Sequence, residues 1–286
     1  MIDIESLRTW IGRSEAEDDV ATAAPLRLLA ATLDRADSAR PGDLVPPLGH
    51  WLYFLPSAPT SRLGADGHPK LGGFMPPIPL RRRMYAGTAL EFRAPIRIGD
   101  AIRRVSTIRD VTFKQGRSGP LVFVALRHEI SGPAGLAIIE DQDLVYRDEP
   151  AATVESAPRP APTGATWRRG FRADPVLLFR FSALTFNGHR THYDRPYATG
   201  VDGFPDLVVH GPLLAVLLID LCRDTHPDKV VSRFRFRAVR PIFVDRPFSV
   251  AGAPGPEGTV RLWAADGDGA FAMDAEARVD MPGSAA

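Results

Sequence analysis

Residues Phe92-Arg93-Ala94-Pro95-Ile96-Arg97-Ile98-Gly99-Asp100 continue an alternating strand pattern begun at Leu90 and stop at a Gly-Asp turn. Residues Phe236-Arg237-Ala238-Val239-Arg240-Pro241-Ile242-Phe243-Val244-Asp245 open on the same three residues and also stop at an aspartate. Each stretch belongs to the first of four predicted strands. Ile102–Lys114, Leu121–Ile130 and Leu136–Tyr146 follow the first copy, and Gly116–Pro120 reads as a turn between them. In the second copy the strands are Val231–Arg240, Pro247–Gly252, Val260–Ala265 and Ala270–Val279. Strands joined by short turns predict an antiparallel meander. A short likeness at equivalent places in two halves predicts one fold used twice.

Between the copies, residues 149–166 hold four prolines among small residues and read as an extended linker. The predicted organisation is therefore 1–148, a linker at 149–166, and 167–286. Ahead of the first strand set, Leu26, Leu28, Leu29 and Leu33 recur at helical spacing. Residues 56–79 are rich in Gly and Pro and too long for a passive connection, which makes them a candidate lid or binding loop. Ahead of the second set, an apolar block from Val208 to Leu221 opens with His210-Gly211-Pro212. Proline suits the first turn of a helix, where its missing N–H would be unpaired anyway, so a buried helix is expected over Gly211–Arg223. A helix wrapped by an antiparallel sheet, repeated across a linker, is an α+β double hotdog: two antiparallel sheets, each around a central helix.

The chain has 286 residues, 44% hydrophobic and 24% charged, with a formal net charge of +1. That composition is globular, and it offers no global field for nucleic acid or an anionic membrane. The single cysteine, Cys222, forms no internal disulfide and lies in an apolar run, as a buried inert thiol does. No basic-then-apolar leader opens the chain, and its longest apolar run is too short to span a bilayer. A cytoplasmic protein is expected.

The chemistry concentrates in Phe181-Ser-Ala-Leu-Thr-Phe-Asn187-Gly-His189-Arg190-Thr-His192-Tyr-Asp194-Arg-Pro-Tyr-Ala198. His192 is the candidate general acid/base, because imidazole takes and gives protons near neutral pH. Asp194-Arg-Pro reads as a helix N-cap. His189 and His192 lack a third ligand, so no metal site is expected. Arg190 either grips a substrate carboxylate in bidentate fashion or braces its own loop. On a strand, Arg233, Arg235 and Arg237 share one face, either solvated or set against phosphate groups of a ligand.

This segment resembles the active-site motif of MaoC-like (R)-specific enoyl-CoA hydratases, and Val208-Val209-His210-Gly211-Pro212 resembles the His-Gly opening of that family's central helix. Phe186-Asn187-Gly188-His189-Arg190-x-His192-Tyr193-Asp194 is similar to a subgroup of 3-hydroxyacyl thioester dehydratases and mesaconyl-CoA and itaconyl-CoA hydratases. Gly72–Pro77 and Arg81–Gly87 add to the likeness, which covers most of residues 45–250. The resemblance implies a hydro-lyase acting on the α,β double bond of an enoyl-CoA, with a short branched dicarboxylic acyl group such as itaconyl or mesaconyl as one candidate. It implies His192 as base and the Gly211 N–H as oxyanion donor. Asn187 stands where the family has aspartate, so its carboxamide is assigned to orienting the water. His189, Arg190 and Arg237 are assigned to substrate binding. No cofactor is implied, because CoA is part of the substrate; a homodimer is compatible. Two alternatives are a 3-hydroxyacyl-[acyl carrier protein] dehydratase and a non-catalytic acyl-CoA-binding hotdog protein.

Overall fold

The computed structural model describes residues 2–37, 39–116, 119–148 and 158–283. Half of the expected linker, 149–157, lies outside the described residues; in the rest, Pro160 bridges to Ala270. The first half contains α1 (Ile4–Arg8), β1 (Ser14–Val20), α2 (Ala23–Thr32), β2 (Arg82–Phe92), β3 (Ala101–Gly116), β4 (Gly119–Gly132) and β5 (Gly135–Arg147). The second contains β6 (Trp167–Arg172), α3 (Pro175–Leu184), α4 (Arg195–Gly200), α5 (Gly211–Thr225), β7 (Val230–Ala238), β8 (Pro247–Pro254), β9 (Thr259–Asp266) and β10 (Phe271–Asp280).

All ten strands form one sheet in the order β1-β3-β4-β5-β2-β7-β10-β9-β8-β6. Read inward from either edge, the order is the same, so the halves are copies joined through the antiparallel β2–β7 pair. Gly87 makes that seam close: a β-carbon there would stand 2.6 Å from the Phe236 carbonyl oxygen. The expected pair of sheets is thus a single sheet shared by two hotdog halves.

The two quoted stretches occupy equivalent places, but only their first residues are strand. Beyond Phe92 and Ala238 the chain leaves the sheet. The Val45 N–H donates to Ile96 O (2.9 Å) and Ile98 N–H to Asp43 O (2.9 Å). In the other half, Val209 N–H donates to Ile242 O (2.8 Å) and Val244 N–H to Leu207 O (3.0 Å). This crossover places β2 beside β5 and β7 beside β10, so the meander holds only for β3–β4–β5 and β8–β9–β10.

The central helix of the second half is α5, buried at every residue from Leu213 to Cys222. At the matching place in the first half the chain makes one 3-10 turn, Gly49–Leu52, and then runs into the Gly/Pro-rich loop. Pro46, Pro47, Gly49 and Pro56 deny that segment a sustained helix. The predicted helix near Leu26 is α2, which packs against α3 instead of lying in a sheet. Strand β1 escaped the sequence reading because it is acidic and only Asp19's neighbours alternate weakly in burial. It is an edge strand laddered antiparallel to β3, and Asp18 pairs with Arg103 at 2.8 Å and Glu17 with Arg104, both on β3. No helix among the described residues is long and apolar enough to cross a membrane.

Candidate active site

The chain leaves α3 through Phe186, whose backbone is left-handed (φ 47°), and turns sharply into the His-rich loop. The Asn187 carboxamide oxygen accepts the His189 backbone N–H at 3.0 Å. The carboxamide expected to orient the water thus has its oxygen shaping the turn as well. Asp194 caps α4 by accepting the Tyr197 N–H at 3.1 Å. Arg190 donates twice to Asp194 Oδ2 (2.9 and 2.7 Å) and once to Ala65 O (3.0 Å), with its guanidinium over the Tyr197 ring at 4.2 Å. The predicted brace is thus in place, with three of the five guanidinium N–H groups engaged.

Four of the chain's seven histidines line up ring against ring in a row. Ring centroids lie 4.4 Å apart for His68 and His189, 5.3 Å for His189 and His192, and 3.7 Å for His192 and His210, the last pair nearly parallel. The row ends in the core, where the His210 Nε2 meets Ser182 Oγ at 2.8 Å. His192 Nδ1 lies 2.7 Å from Val208 O. A carbonyl only accepts, so Nδ1 carries the proton and Nε2 presents its lone pair. Burial holds the His192 pKa down at about 4, with the Val208 carbonyl opposing. Burial and the neighbouring His68 and His192 push His189 to about 2. His210 is also well below its ordinary value, chiefly through burial. The row is neutral at pH 7, and His192 is a free base with a fixed tautomer.

The long loop of the first half forms the opposite wall. Gly67 packs on Gly188 backbone to backbone, and the Arg190 N–H donates to Asp66 O at 2.9 Å. This docking sets Asp66 Oδ2 3.0 Å from His68 Nδ1. Burial alone would raise the Asp66 carboxyl, but the bonds from His68 outweigh it and hold its pKa low. Burial lowers His68, with Asp66 opposing. A carboxylate from another part of the chain thus stands beside the histidine row, where position 187 offers none. Sequence reasoning flagged the loop but missed Asp66 and His68, because contact with His189 depends on a docking that no local pattern encodes. His210 was read only as part of the helix opening.

Gly211 opens α5, where backbone N–H groups have no partner within the helix. A β-carbon on Gly211 would meet only Met273, at an ordinary 3.9 Å. Packing therefore does not demand glycine there. Val208, whose carbonyl holds His192, is three residues upstream, so base and helix terminus sit together. Arg237 does not join them. Phe234 and Phe236 point into the core, and strand alternation sends Arg233, Arg235 and Arg237 to the outer face, where Arg235 pairs with Glu276 at 3.1 Å. Cys222 is buried with its thiol pushed up to about 12, too poorly ionised to act as a nucleophile.

Beside His68 a cleft of about 670 Å³ opens, lined among others by Asp66, Lys70, Arg81, Arg82, Arg83, Tyr146 and Arg190. Among the described residues no three His, Cys, Asp or Glu side chains converge as a metal site would require.

A family model described as hydroxyacyl-thioester dehydratase type 2 matches residues 48–244. Mesaconyl-C(4)-CoA hydratase of Chloroflexus aurantiacus is 49% identical over 271 residues, covering 93% of this chain and 95% of that protein. Among solved structures, HtdX of Mycobacterium tuberculosis superposes with a TM-score of 0.65 at 19% identity, covering 93% of this chain and 99% of that one. A second Mycobacterium tuberculosis protein, of double hotdog fold, gives 0.57 at 13% identity, with 94% and 98% covered. At those identities the structures speak for the fold alone.

Proposed function

The chain belongs to the hydroxyacyl-thioester dehydratase type 2 family and is a hydro-lyase of acyl thioesters; on that premise we propose that it hydrates a mesaconyl-type acyl-CoA, with His192 as the acid/base. The observation that carries the assignment is the His192 ring: Nδ1 pinned to Val208 O, Nε2 without a hydrogen-bond partner among the described residues, and a pKa near 4. Nε2 takes a proton from water as the oxygen attacks the β-carbon. Negative charge moves to the thioester oxygen, where the Gly211 N–H at the positive end of α5 receives it. The imidazolium then returns a proton to the α-carbon, and dehydration is the same path reversed. His68, with Asp66 behind it, is the second group able to hold a proton in the cluster. The Asn187 NH2 orients the water or the thioester.

No cofactor takes part, since CoA enters as part of the substrate. The reading carries with it a cytoplasmic enzyme and leaves room for a homodimer. The test follows the absorbance of the conjugated thioester with a panel of enoyl-CoAs. His192→Ala is expected to lower kcat by roughly 100-fold or more. Near-normal turnover in that variant rejects the assignment. One acyl group presented on CoA and on carrier protein separates this reading from a carrier-protein dehydratase.

A further inference from the structure

Arg83 on β2 and Tyr146 on β5 are direct cross-strand partners, so their side chains leave the same face of the sheet side by side. Both line the cleft next to His68. Arg83 is half-buried and makes no hydrogen bond or ion pair among the described residues. The Tyr146 hydroxyl is buried and also has no partner. A half-buried guanidinium beside a buried, unsatisfied hydroxyl favours something anionic and hydrogen-bonding to meet them. Neighbouring groups do not fill that role: Asp66 is engaged by His68, and Arg82 takes the backbone carbonyl of Asp202. Arg190, the sequence's candidate for an anion contact, already gives three of its five N–H groups to Asp194 and Ala65.

We infer that Arg83 and Tyr146 form an anion subsite for the free carboxylate of a dicarboxylic acyl group, a step that rests on the hydratase reading above. In a mesaconyl group thioesterified at C4, the second carboxylate is attached to the β-carbon, the atom that takes the water. Its binding site must therefore adjoin the acid/base cluster. Arg83 does adjoin it: its charge acts on both His68 and His189 as well as on Tyr146. The phosphates of CoA, in contrast, are separated from the thioester by the whole pantetheine arm. Arg83 supplies the charge and a forked donor set, and the Tyr146 hydroxyl supplies one further hydrogen bond.

The test compares mesaconyl-C4-CoA with 3-methylcrotonyl-CoA, in which a methyl replaces the carboxylate on the same carbon. For Arg83→Met the ratio of kcat/KM between the two thioesters is expected to fall roughly 30-fold or more, the usual scale for losing one partner of a desolvated charge pair. Tyr146→Phe, which removes only the hydroxyl, is expected to lower the ratio about 5-fold. Equal losses on both thioesters assign Arg83 to a CoA phosphate or to folding and overturn the subsite, as does an unchanged ratio. If the wild-type enzyme turns over neither thioester, the substrate reading fails by itself. Calorimetry with free mesaconate then still decides the subsite: binding by the wild type that Arg83→Met loses supports it, and no binding refutes it.

Discussion

Gly67 and Gly188 meet backbone to backbone across the two halves of the chain. A β-carbon on Gly67 would overlap the Gly188 carbonyl oxygen, and one on Gly188 would stand 2.7 Å from Gly67 O. Gly67 also has φ +89°, a conformation that L side chains resist. The contact matters because it carries Asp66 and His68 to His189. Gly67→Ala is therefore expected to undock the loop and lower kcat/KM by about 100-fold, the scale of a small misplacement of catalytic groups. The melting temperature should fall by only a few degrees, since the loop adds little to the main core. Steady-state kinetics alongside thermal melting checks both; wild-type kinetics would show that the docking is idle.

The acid limb of the pH profile should be displaced. His192 stays neutral in the fold down to about pH 4, where an ordinary imidazole would protonate near 6.5. The acid limb of kcat/KM is expected well below pH 6. Stability runs the other way: on acidification the unfolded chain takes up protons first, so stability is lost as pH falls from about 6.5 toward 4. Initial rates from brief exposures, set against denaturant midpoints over the same range, separate the two. An acid limb at 6.5 with constant stability would place His192 in water.

Asp66→Asn keeps the shape of the loop and removes the charge behind His68. If that pair moves a proton, kcat is expected to drop roughly 10- to 100-fold while KM changes little. A rise in KM at unchanged kcat would leave Asp66 as a brace only.

Arg190→Met should hurt dicarboxylic and monocarboxylic thioesters alike, because the guanidinium holds Asp194 and Ala65. A loss confined to the dicarboxylic thioester would return Arg190 to carboxylate recognition.

Arg35 ion-pairs with Asp220, a buried carboxylate on α5. Arg35→Met leaves that charge facing the core with only Arg223, at 3.2 Å and half-exposed, to offset it. The expected cost is about 3 kcal/mol of unfolding free energy by urea denaturation. A cost under about 1 kcal/mol would mean that Asp220 becomes protonated in the variant.

Much of this was legible from the chain alone, and for local reasons. Strands β3 to β5 and β7 to β10 announce themselves through alternation and turn residues. Helix α5 does so through His210-Gly211-Pro212 and the apolar run behind it. The Asp194 cap and the inert Cys222 follow from side-chain chemistry acting over a few residues. Strand β1 stayed hidden because its partner is a basic strand about ninety residues away.

What folding alone decided is which distant groups meet. Local pattern placed His192 at the centre, but it could not bring Asp66 and His68 across 120 residues, set Arg83 beside Tyr146, or turn Arg237 away. Those outcomes depend on the crossover that seats β2 next to β5, on the β2–β7 seam, and on two glycines whose missing β-carbons let the halves touch. Propensity and periodicity act within a turn or a strand, whereas a candidate site built from both halves is fixed by packing, which no short window of sequence contains.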